Sequence, residues 1–376
     1  MKKLAIIGST GSIGKQVLKV VDAYKNDFEV YSLTANTNSV LLCEQINKYK
    51  PKIATLEVGF KQDFAGTDFI SGKDAYLSAI TKDVDLVVVA VVGFAGLKAV
   101  LKAIELKKDI ALANKECLVA GGGLVMESAR KNGVKIFPVD SEHSAIFQAL
   151  GLDLNKPFKR LILTASGGAF RDLSLDELSV ATAKDALKHP NWNMGDKITI
   201  DCATLVNKAF EVIEAHWLYN ADFSKIDAVI HRESIIHSMV EFEDNSILAQ
   251  MSYPTMELPI QLALFDGKRC PSTVKPLDFT TLKSLTFGEI DRRKFPCFDL
   301  VVSAGKKGGL YPAVANGANE VAVKAFLEGK INYSNIYSLI ESALNAYTYT
   351  VDYSLDAVLE ADRFAREYTT TQIKKI

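Results

Sequence analysis

The segment that most constrains the fold is at the start of the chain. Leu4-Ala5-Ile6-Ile7 runs directly into Gly8-Ser9-Thr10-Gly11-Ser12-Ile13-Gly14, and a helical pattern follows. A buried strand, a glycine-rich turn and a helix in that order let the backbone approach a pyrophosphate. The helix N-terminus then presents free N–H groups carrying partial positive charge. The spacing is GxxGxxG rather than the usual dinucleotide-binding GxGxxG, so a plain strand-to-helix turn remains the competing explanation.

The pattern repeats along the first third of the chain. Leu4–Ile7, Phe28–Leu33, Lys52–Leu56, Asp85–Val92, Ile110–Ala113 and Val134–Val139 read as strands, nearly continuous in Val, Ile, Leu and Ala. Such runs suit parallel strands buried on both faces. Helical stretches between them supply the crossovers, which predicts an α/β, doubly wound, Rossmann-like sheet. The next part mixes strand-like runs (Arg160–Thr164, Ile226–Ile230, Ser246–Met251) with helices and reads as α+β. A stretch with Pro271, Pro276 and Pro296 reads as a connector, and from Pro312 onward the apolar spacing is helical. The expected divisions are 1–139, 140–265, 266–291 and 292–376. At roughly 150 residues per domain, two or three domains are expected of 376 residues.

Composition excludes several classes. Lys plus Arg total 44 and Asp plus Glu 45, a net charge of −1, which argues against a nucleic-acid coat or a polybasic membrane binder. The longest apolar stretch, Leu86 to Leu97, is broken by Gly93 and Gly96 and falls short of the ~20 residues of a bilayer span. The apolar run after Met1 ends at Gly8, so no export signal is read. Cys43, Cys117, Cys202, Cys270 and Cys297 are scattered without CxxC spacing. That suits a reducing, cytoplasmic setting rather than a disulfide framework or a zinc ribbon.

The end of the second strand, Ser32-Leu33-Thr34-Ala35-Asn36-Thr37-Asn38, lacks the acidic residue that holds an NAD ribose. Hydroxyl and amide groups there suit a 2′-phosphate, which leans toward NADP. Asn114-Lys115-Glu116 follows the fifth strand and belongs at the carboxyl edge of the sheet, where ligands bind. Asp140 and Glu142, if extended, point to one face and call for a cation; helix capping explains the same pair equally simply. Asn207, Lys208 and Glu211 share a helical face. They read as phosphate donors with an oxygen ligand, or as a surface Lys–Glu pair. Three carboxylates without a His/Cys cluster point to a hard cation. Leu163-Thr164-Ala165-Ser166-Gly167-Gly168 leaves a strand into an anion-binding turn or an ordinary one. His189-Pro190-Asn191-Trp192-Asn193-Met194-Gly195 reads as a cover over a ligand or a packed loop. His231, His237 and His216 lack ligand spacing and read as structural or supporting groups.

Taken together, in this order and over essentially the whole chain, these motifs resemble the 1-deoxy-D-xylulose 5-phosphate reductoisomerase family. They are Gly8–Gly14, Ala113–Glu116, Val139–His143, Ser166–Gly168, His189–Trp192, Met194-Gly195, Asn207-Lys208 with Glu211, and Asn316-Gly-Ala-Asn-Glu320. The resemblance implies a homodimeric, cytoplasmic enzyme of non-mevalonate isoprenoid biosynthesis with no nucleic-acid or membrane partner. It would convert 1-deoxy-D-xylulose 5-phosphate, a small phosphorylated sugar, to 2-C-methyl-D-erythritol 4-phosphate with NADPH and Mg²⁺, Mn²⁺ or Co²⁺. It implies that 1–139 binds NADPH, that 140–265 is the catalytic domain with a lid near 186–196, and that 292–376 is a helical domain. By analogy Asp140, Glu142 and Glu211 hold the metal, a Lewis acid for the skeletal rearrangement. Lys115, Glu142, His189 and Glu211 are the implied catalytic residues. Ser166, Cys202, Asn207 and Lys208 would hold the phosphate. Lys115, Ser141, His189, Trp192 and Met194 would contact or cover the substrate. Thr10, Gly11, Ser12, Ile13, Asn38, Asn114, Glu116 and Gly195 would line the NADPH site.

This chain departs from the family pattern at four places. Cys202 replaces a Ser, and a thiol is the weaker donor. Ala35-Asn36-Thr37-Asn38 lacks a basic residue, Ala165 replaces a Gly, and His231-Arg232-Glu233-Ser234 replaces His-Pro-Gln-Ser. Two other readings compete: another metal-assisted NADP-dependent dehydrogenase, and a nucleotide-sensing protein without catalysis. The sensor leaves the three carboxylates without a shared task.

Overall fold

The computed structural model describes residues 1–59, 62–192, 194–348 and 353–376. The chain forms two compact units. The first comprises Met1–Cys117, Val125–Ser144 and Thr255–Lys275; the second comprises Leu118–Leu124, Ala145–Pro254 and Pro276–Ile376. These units do not coincide with the four segments expected from sequence. The helix Glu257–Leu264, read with the middle segment, groups with the first unit and packs on the helix Ser12–Ala23.

The first unit is built on seven parallel strands: β1 (Lys2–Ile7), β2 (Phe28–Ala35), β3 (Ile53–Leu56), β4 (Asp68–Ser71), β5 (Leu86–Val89), β6 (Asp109–Leu112) and β7 (Ile136–Pro138). Their order is β4-β3-β2-β1-β5-β6-β7. Leu4 to Ile7 and Leu86 to Val89 are buried throughout, as central strands covered on both faces require. Strand order reverses between β1 and β5, and the glycine-rich turn leaves the carboxyl end of β1. That is the switch point where open α/β sheets bind ligands. β5 is shorter than the expected Asp85–Val92: the chain leaves the sheet after Val89, and Val92 is exposed. β4 was not anticipated, because an edge strand with three of four residues exposed carries little apolar signal.

The second unit holds a four-stranded sheet of β8 (Arg160–Ala165), β9 (Ile226–Ile230), β10 (Ile236–Glu241) and β11 (Ile247–Met251), ordered β11-β10-β8-β9. β8 and β9 are parallel, whereas β10 runs antiparallel to both β8 and β11. β10 was missed in the sequence. His237 and Ser238 interrupt its apolar run, yet both are buried. Behind β8 and β9 packs the helix Val206–Leu218. Four further helices, Pro296–Lys307, Tyr311–Leu327, Tyr333–Ala346 and Leu355–Ile373, form the C-terminal region. Pro296 starts a helix rather than belonging to the connector. At the first helical position its missing N–H costs nothing and its fixed φ suits the helix.

Candidate active site

In the first unit, the turn after β1 is shaped by glycines that no larger residue can replace. Gly8 has φ +93°, and a Cβ there would stand 2.8 Å from the Ala90 carbonyl oxygen beyond β5. A Cβ on Gly14 would collide with the Gly8 carbonyl. Gly11 is the N-cap of the helix Ser12–Ala23 and offers no side-chain cap, and no acidic residue lies in the first turn. The first-turn N–H groups therefore lack the side-chain acceptor that a Ser or Asp cap would provide, which fits a pyrophosphate. Thr10, Gly11, Ser12 and Ile13 all lie on this turn.

The segment after β2 is only partly available to a 2′-phosphate. Ser32 Oγ donates to the Ala79 carbonyl at 2.7 Å, and Thr34 Oγ1 accepts from Gly8 N–H at 2.8 Å. Both are buried, which corrects the expectation that the whole Ser32–Asn38 stretch offers donors. Asn36, Thr37 and Asn38 are exposed, and Asn38 caps the helix Ser39–Tyr49 by accepting from Leu41 N–H.

Beyond β6, Asn114 is buried with its amide donating to the Val91 carbonyl and to Glu116 Oε2, each at 2.9 Å. It ties the chain ends after β5 and β6 together. Lys115 Nζ lies 2.7 Å from Asp140 Oδ2. Asp140 and Glu142 do not sit on an extended chain. A helix, Ser141–Ala149, begins between them, so the period-two argument for their convergence does not hold. Ser141 Oγ donates to Glu142 Oε2 at 2.5 Å.

In the second unit, Ser166 follows β8 and is succeeded by Gly167 (φ +84°) and Gly168 (φ +66°). Two consecutive left-handed residues turn the chain sharply, and a Cβ on Gly168 would strike the Cys202 carbonyl. The Ser166 loop thus lies directly against the last turn of the helix Asp196–Thr204, where Cys202 is half-buried. His189 Nδ1 accepts from the backbone N–H of Asn191 at 3.2 Å and of Trp192 at 3.0 Å. That assigns the proton to Nε2, which donates to Ser166 Oγ at 3.0 Å. Ser166 Oγ also accepts from Gly168 N–H at 3.2 Å. With two donors directed at its oxygen, the Ser166 hydroxyl keeps its proton to donate, as an anion-binding group would. Burial, with the Arg171 charge second, pulls His189 from 6.5 down to about 4, so its ring is neutral.

The segment expected to be a lid, near 186–196, is tied to the second unit by its side chains. Asn191 Nδ2 donates to the Arg232 carbonyl at 2.6 Å and to Ser234 Oγ at 2.7 Å. Trp192 meets the His237 ring edge-on at 6.2 Å. Met194 is half-buried and Gly195 caps the helix Asp196–Thr204; Asn193 lies outside the described residues. The unusual His231–Ser234 stretch forms its own network. Arg232 pairs with Asp172, and Glu233 accepts from Thr286 N–H and Oγ1. Asn191 and Arg171, whose guanidinium donates to the Ser166 carbonyl at 2.9 Å, were not singled out in the sequence. Only their place between a lid and a turn, which no spacing rule encodes, reveals them.

Asn207, Lys208 and Glu211 stand on one face of the helix Val206–Leu218, as their spacing predicts. Asn207 Nδ2 donates to Glu211 Oε1 at 2.5 Å, and Lys208 pairs with Glu211 Oε2. All three are buried, which removes the surface-pair explanation. The preceding helix ends at Thr204, and Leu205 (φ +58°) separates the two. The structure therefore arranges the expected residues in two sets. Thr10 to Ile13, Asn38, Asn114 to Glu116 and Asp140 to Glu142 belong to the first unit. Ser166, His189, Trp192, Met194, Gly195, Cys202, Asn207, Lys208 and Glu211 belong to the second. Each set carries carboxylates, the oxygen ligands that a hard cation takes; Asp140 stands opposite Lys115 and Glu211 opposite Lys208.

Known proteins carry the same pattern. The family model described as 1-deoxy-D-xylulose 5-phosphate reductoisomerase matches residues 4–122, and models of that enzyme's C-terminal domains match 136–219 and 251–368. The chain is 47% identical to 1-deoxy-D-xylulose 5-phosphate reductoisomerase 1 of Bacillus cereus, covering 100% of this chain and 99% of that one. It is 46% identical to the reductoisomerase of Gloeobacter violaceus, covering 100% and 98%. Among solved structures, the Zymomonas mobilis reductoisomerase in complex with NADPH superposes with a TM-score of 0.93 at 38% identity, covering 100% of both chains. A reductoisomerase in complex with NADPH, fosmidomycin and magnesium gives 0.93 at 37% identity, covering 100% of this chain and 98% of that one.

Proposed function

The chain belongs to the 1-deoxy-D-xylulose 5-phosphate reductoisomerase family, and from that premise we propose how its residues divide the work. The enzyme converts 1-deoxy-D-xylulose 5-phosphate to 2-C-methyl-D-erythritol 4-phosphate in isoprenoid biosynthesis, with NADPH and a divalent cation. The observation that carries this is the full-length match to the reductoisomerases.

Gly11 to Ile13, at the helix N-terminus after β1 that no side chain caps, would hold the pyrophosphate of NADPH. Asn38 takes part at the ribose end, and Asn114, Glu116 and Gly195 line the rest. Asp140, Glu142 and Glu211 hold the cation. An all-oxygen set of this kind accepts Mg²⁺, and equally Mn²⁺ or Co²⁺. When bound, the cation supplies Lewis-acid polarisation of the substrate's carbonyl and hydroxyl oxygens, and NADPH supplies hydride.

The chain's own groups bind, orient and enclose. The Ser166 hydroxyl, whose oxygen accepts from His189 and Gly168, donates to a phosphate oxygen. Asn207 and Lys208 add donors at the start of their helix, whose partial positive charge favours an anion. Cys202 replaces a stronger hydroxyl donor there. Phosphate binding remote from the reacting carbons positions them and is one source of rate. Lys115 and Ser141 contact the substrate beside the metal ligands. His189, neutral, keeps the lid segment folded through its two backbone bonds, and Trp192 and Met194 close over the substrate to exclude water.

The enzyme acts as a homodimer. Within the described sheet β11 pairs only with β10, and Ile247 and Leu248, on opposite faces of the strand, are both about half exposed. A strand bare on both faces and along one edge suits pairing with a second copy. No disulfide joins the five cysteines, in keeping with a reducing cytoplasm. No described helix is long and apolar enough to cross a membrane.

The test is NADPH absorbance loss on adding 1-deoxy-D-xylulose 5-phosphate, with Mg²⁺ and then with EDTA. Oxidation requiring both substrate and metal is the expected result. Oxidation indifferent to EDTA would remove the metal role. NADPH binding without turnover would favour the sensor.

A further inference from the structure

The Asn316–Glu320 motif has no task in the chemistry above, yet it reaches the phosphate end of the site from behind. Asn319, fully buried on the helix Tyr311–Leu327, donates from Nδ2 to Asp201 Oδ1 at 2.8 Å. Asp201 is 2% exposed and immediately precedes Cys202. Its other oxygen takes Lys197 Nζ at 2.8 Å, one turn back in the same helix. Tyr333, first residue of the helix Tyr333–Ala346, donates its hydroxyl to the Ala203 carbonyl at 3.0 Å. A carbonyl in the last helical turn has no partner within its helix, so this bond satisfies a group that would otherwise be orphaned. The Tyr333 ring also meets Phe170 edge-on at 5.0 Å. Phe170, 1% exposed, closes the loop that carries Ser166 and Gly168. The residues on either side of Cys202 are thus each held by a side chain of the C-terminal helices, and one of those side chains also backs the Ser166 loop.

We propose that Asn319 and Tyr333 are positioning residues for the substrate phosphate. They fix the last turn of the helix Asp196–Thr204 and the Ser166 loop at the separation that phosphate oxygens require. The inference rests on the phosphate reading of Ser166, Cys202, Asn207 and Lys208. The Asn319–Asp201 bond is buried and the Tyr333–Ala203 bond partly buried, so losing either strips a partner from a group with little access to water and lets the turn shift. A small displacement of a binding group weakens a remote handle without touching the carboxylates.

Tyr333→Phe keeps the ring on Phe170 and removes one donor. Asn319→Asp sets a carboxylate against Asp201, and combining it with Asp201→Asn restores a hydrogen bond with donor and acceptor exchanged. Each single variant should raise KM for 1-deoxy-D-xylulose 5-phosphate about tenfold, with kcat and NADPH affinity little changed. The Asn319→Asp/Asp201→Asn pair should recover KM. Lys208→Ala, measured alongside, separates the two levels of the argument. If it leaves KM unchanged, the phosphate lies elsewhere and the reading beneath the inference fails. If it raises KM while Tyr333→Phe and Asn319→Asp do not, the positioning role is overturned. A parallel fall in kcat, NADPH affinity and thermal stability without a selective KM effect, or no recovery in the double variant, overturns it as well.

Discussion

Glu211 has no exposed surface, accepts a hydrogen bond from Asn207 and faces the Lys208 ammonium. A buried carboxylate held by two neighbours on its own helix is a fixed oxygen ligand. Glu211→Gln keeps the shape, removes the charge and weakens a charge-assisted bond worth about 1.5–3 kcal/mol. The larger effect is on the reaction: losing a metal ligand costs several kcal/mol of Lewis-acid stabilisation, and each ~1.4 kcal/mol is tenfold, so turnover should fall at least ~100-fold. NADPH affinity, measured by fluorescence titration, should stay near normal; near-normal turnover would exclude Glu211 from the metal. His189 gives a test with pH. Its value falls from 6.5 to about 4 on folding, so the unfolded chain binds more protons between those limits. Stability therefore rises with pH across that window and is complete above about 6.5. The melting temperature should drop as pH is lowered through it, and His189→Asn, which keeps an acceptor near Nδ1, should flatten that part of the slope. An unchanged slope would mean the ring titrates normally.

At the scale of elements, the glycine-rich turn invites a sharper test than any contact residue. Gly14→Ala places a methyl group against the Gly8 carbonyl, and overpacking of that kind costs about 1–3 kcal/mol. The turn must open, and NADPH affinity should fall by about tenfold or more while binding through the second unit is spared. Titration with NADPH and, separately, the KM for 1-deoxy-D-xylulose 5-phosphate would show the split; equal losses would refute it. This turn was legible because its strand, glycines and helix are contiguous, so local rules suffice. So were β1, β2, β5 and β6, whose apolar runs carry the signal of parallel strands buried on both faces. The failures share one cause, which is that pairing and packing with distant elements override local composition. Asp68–Ser71 pairs as an edge although mostly exposed, and Ile236–Glu241 is interior although it carries His237 and Ser238. Asp140 and Glu142 left an extended pair and a helix cap both open, and the helix that starts at Ser141 removes the extended one.

At the scale of the molecule, the limit of the sequence is distance along the chain. Spacing joined Asn207, Lys208 and Glu211 within one helix. No spacing rule joins Ser166 to His189 or Asp201 to Asn319, because those bonds depend on how elements dock. The β11 edge belongs to the same class, and the proposed dimer rests on it. Each copy offers Ile247 and Leu248 about half exposed, and burying a whole side chain of this kind is worth about 1.5–3 kcal/mol. Two copies therefore gain about 3–6 kcal/mol from these side chains, less than or comparable to the ~4–15 kcal/mol that association costs. Strand pairing along the edge must supply the rest, so the assembly is sensitive to any charge placed there. In a twofold interface each substitution acts twice, and like charges meet their own copies across the axis. Leu248→Glu should accordingly shift the enzyme from dimer to monomer in size-exclusion chromatography with light scattering, with its far-ultraviolet circular dichroism unchanged. A wild-type protein that runs as a monomer, or a variant that stays fully dimeric, would place the interface elsewhere.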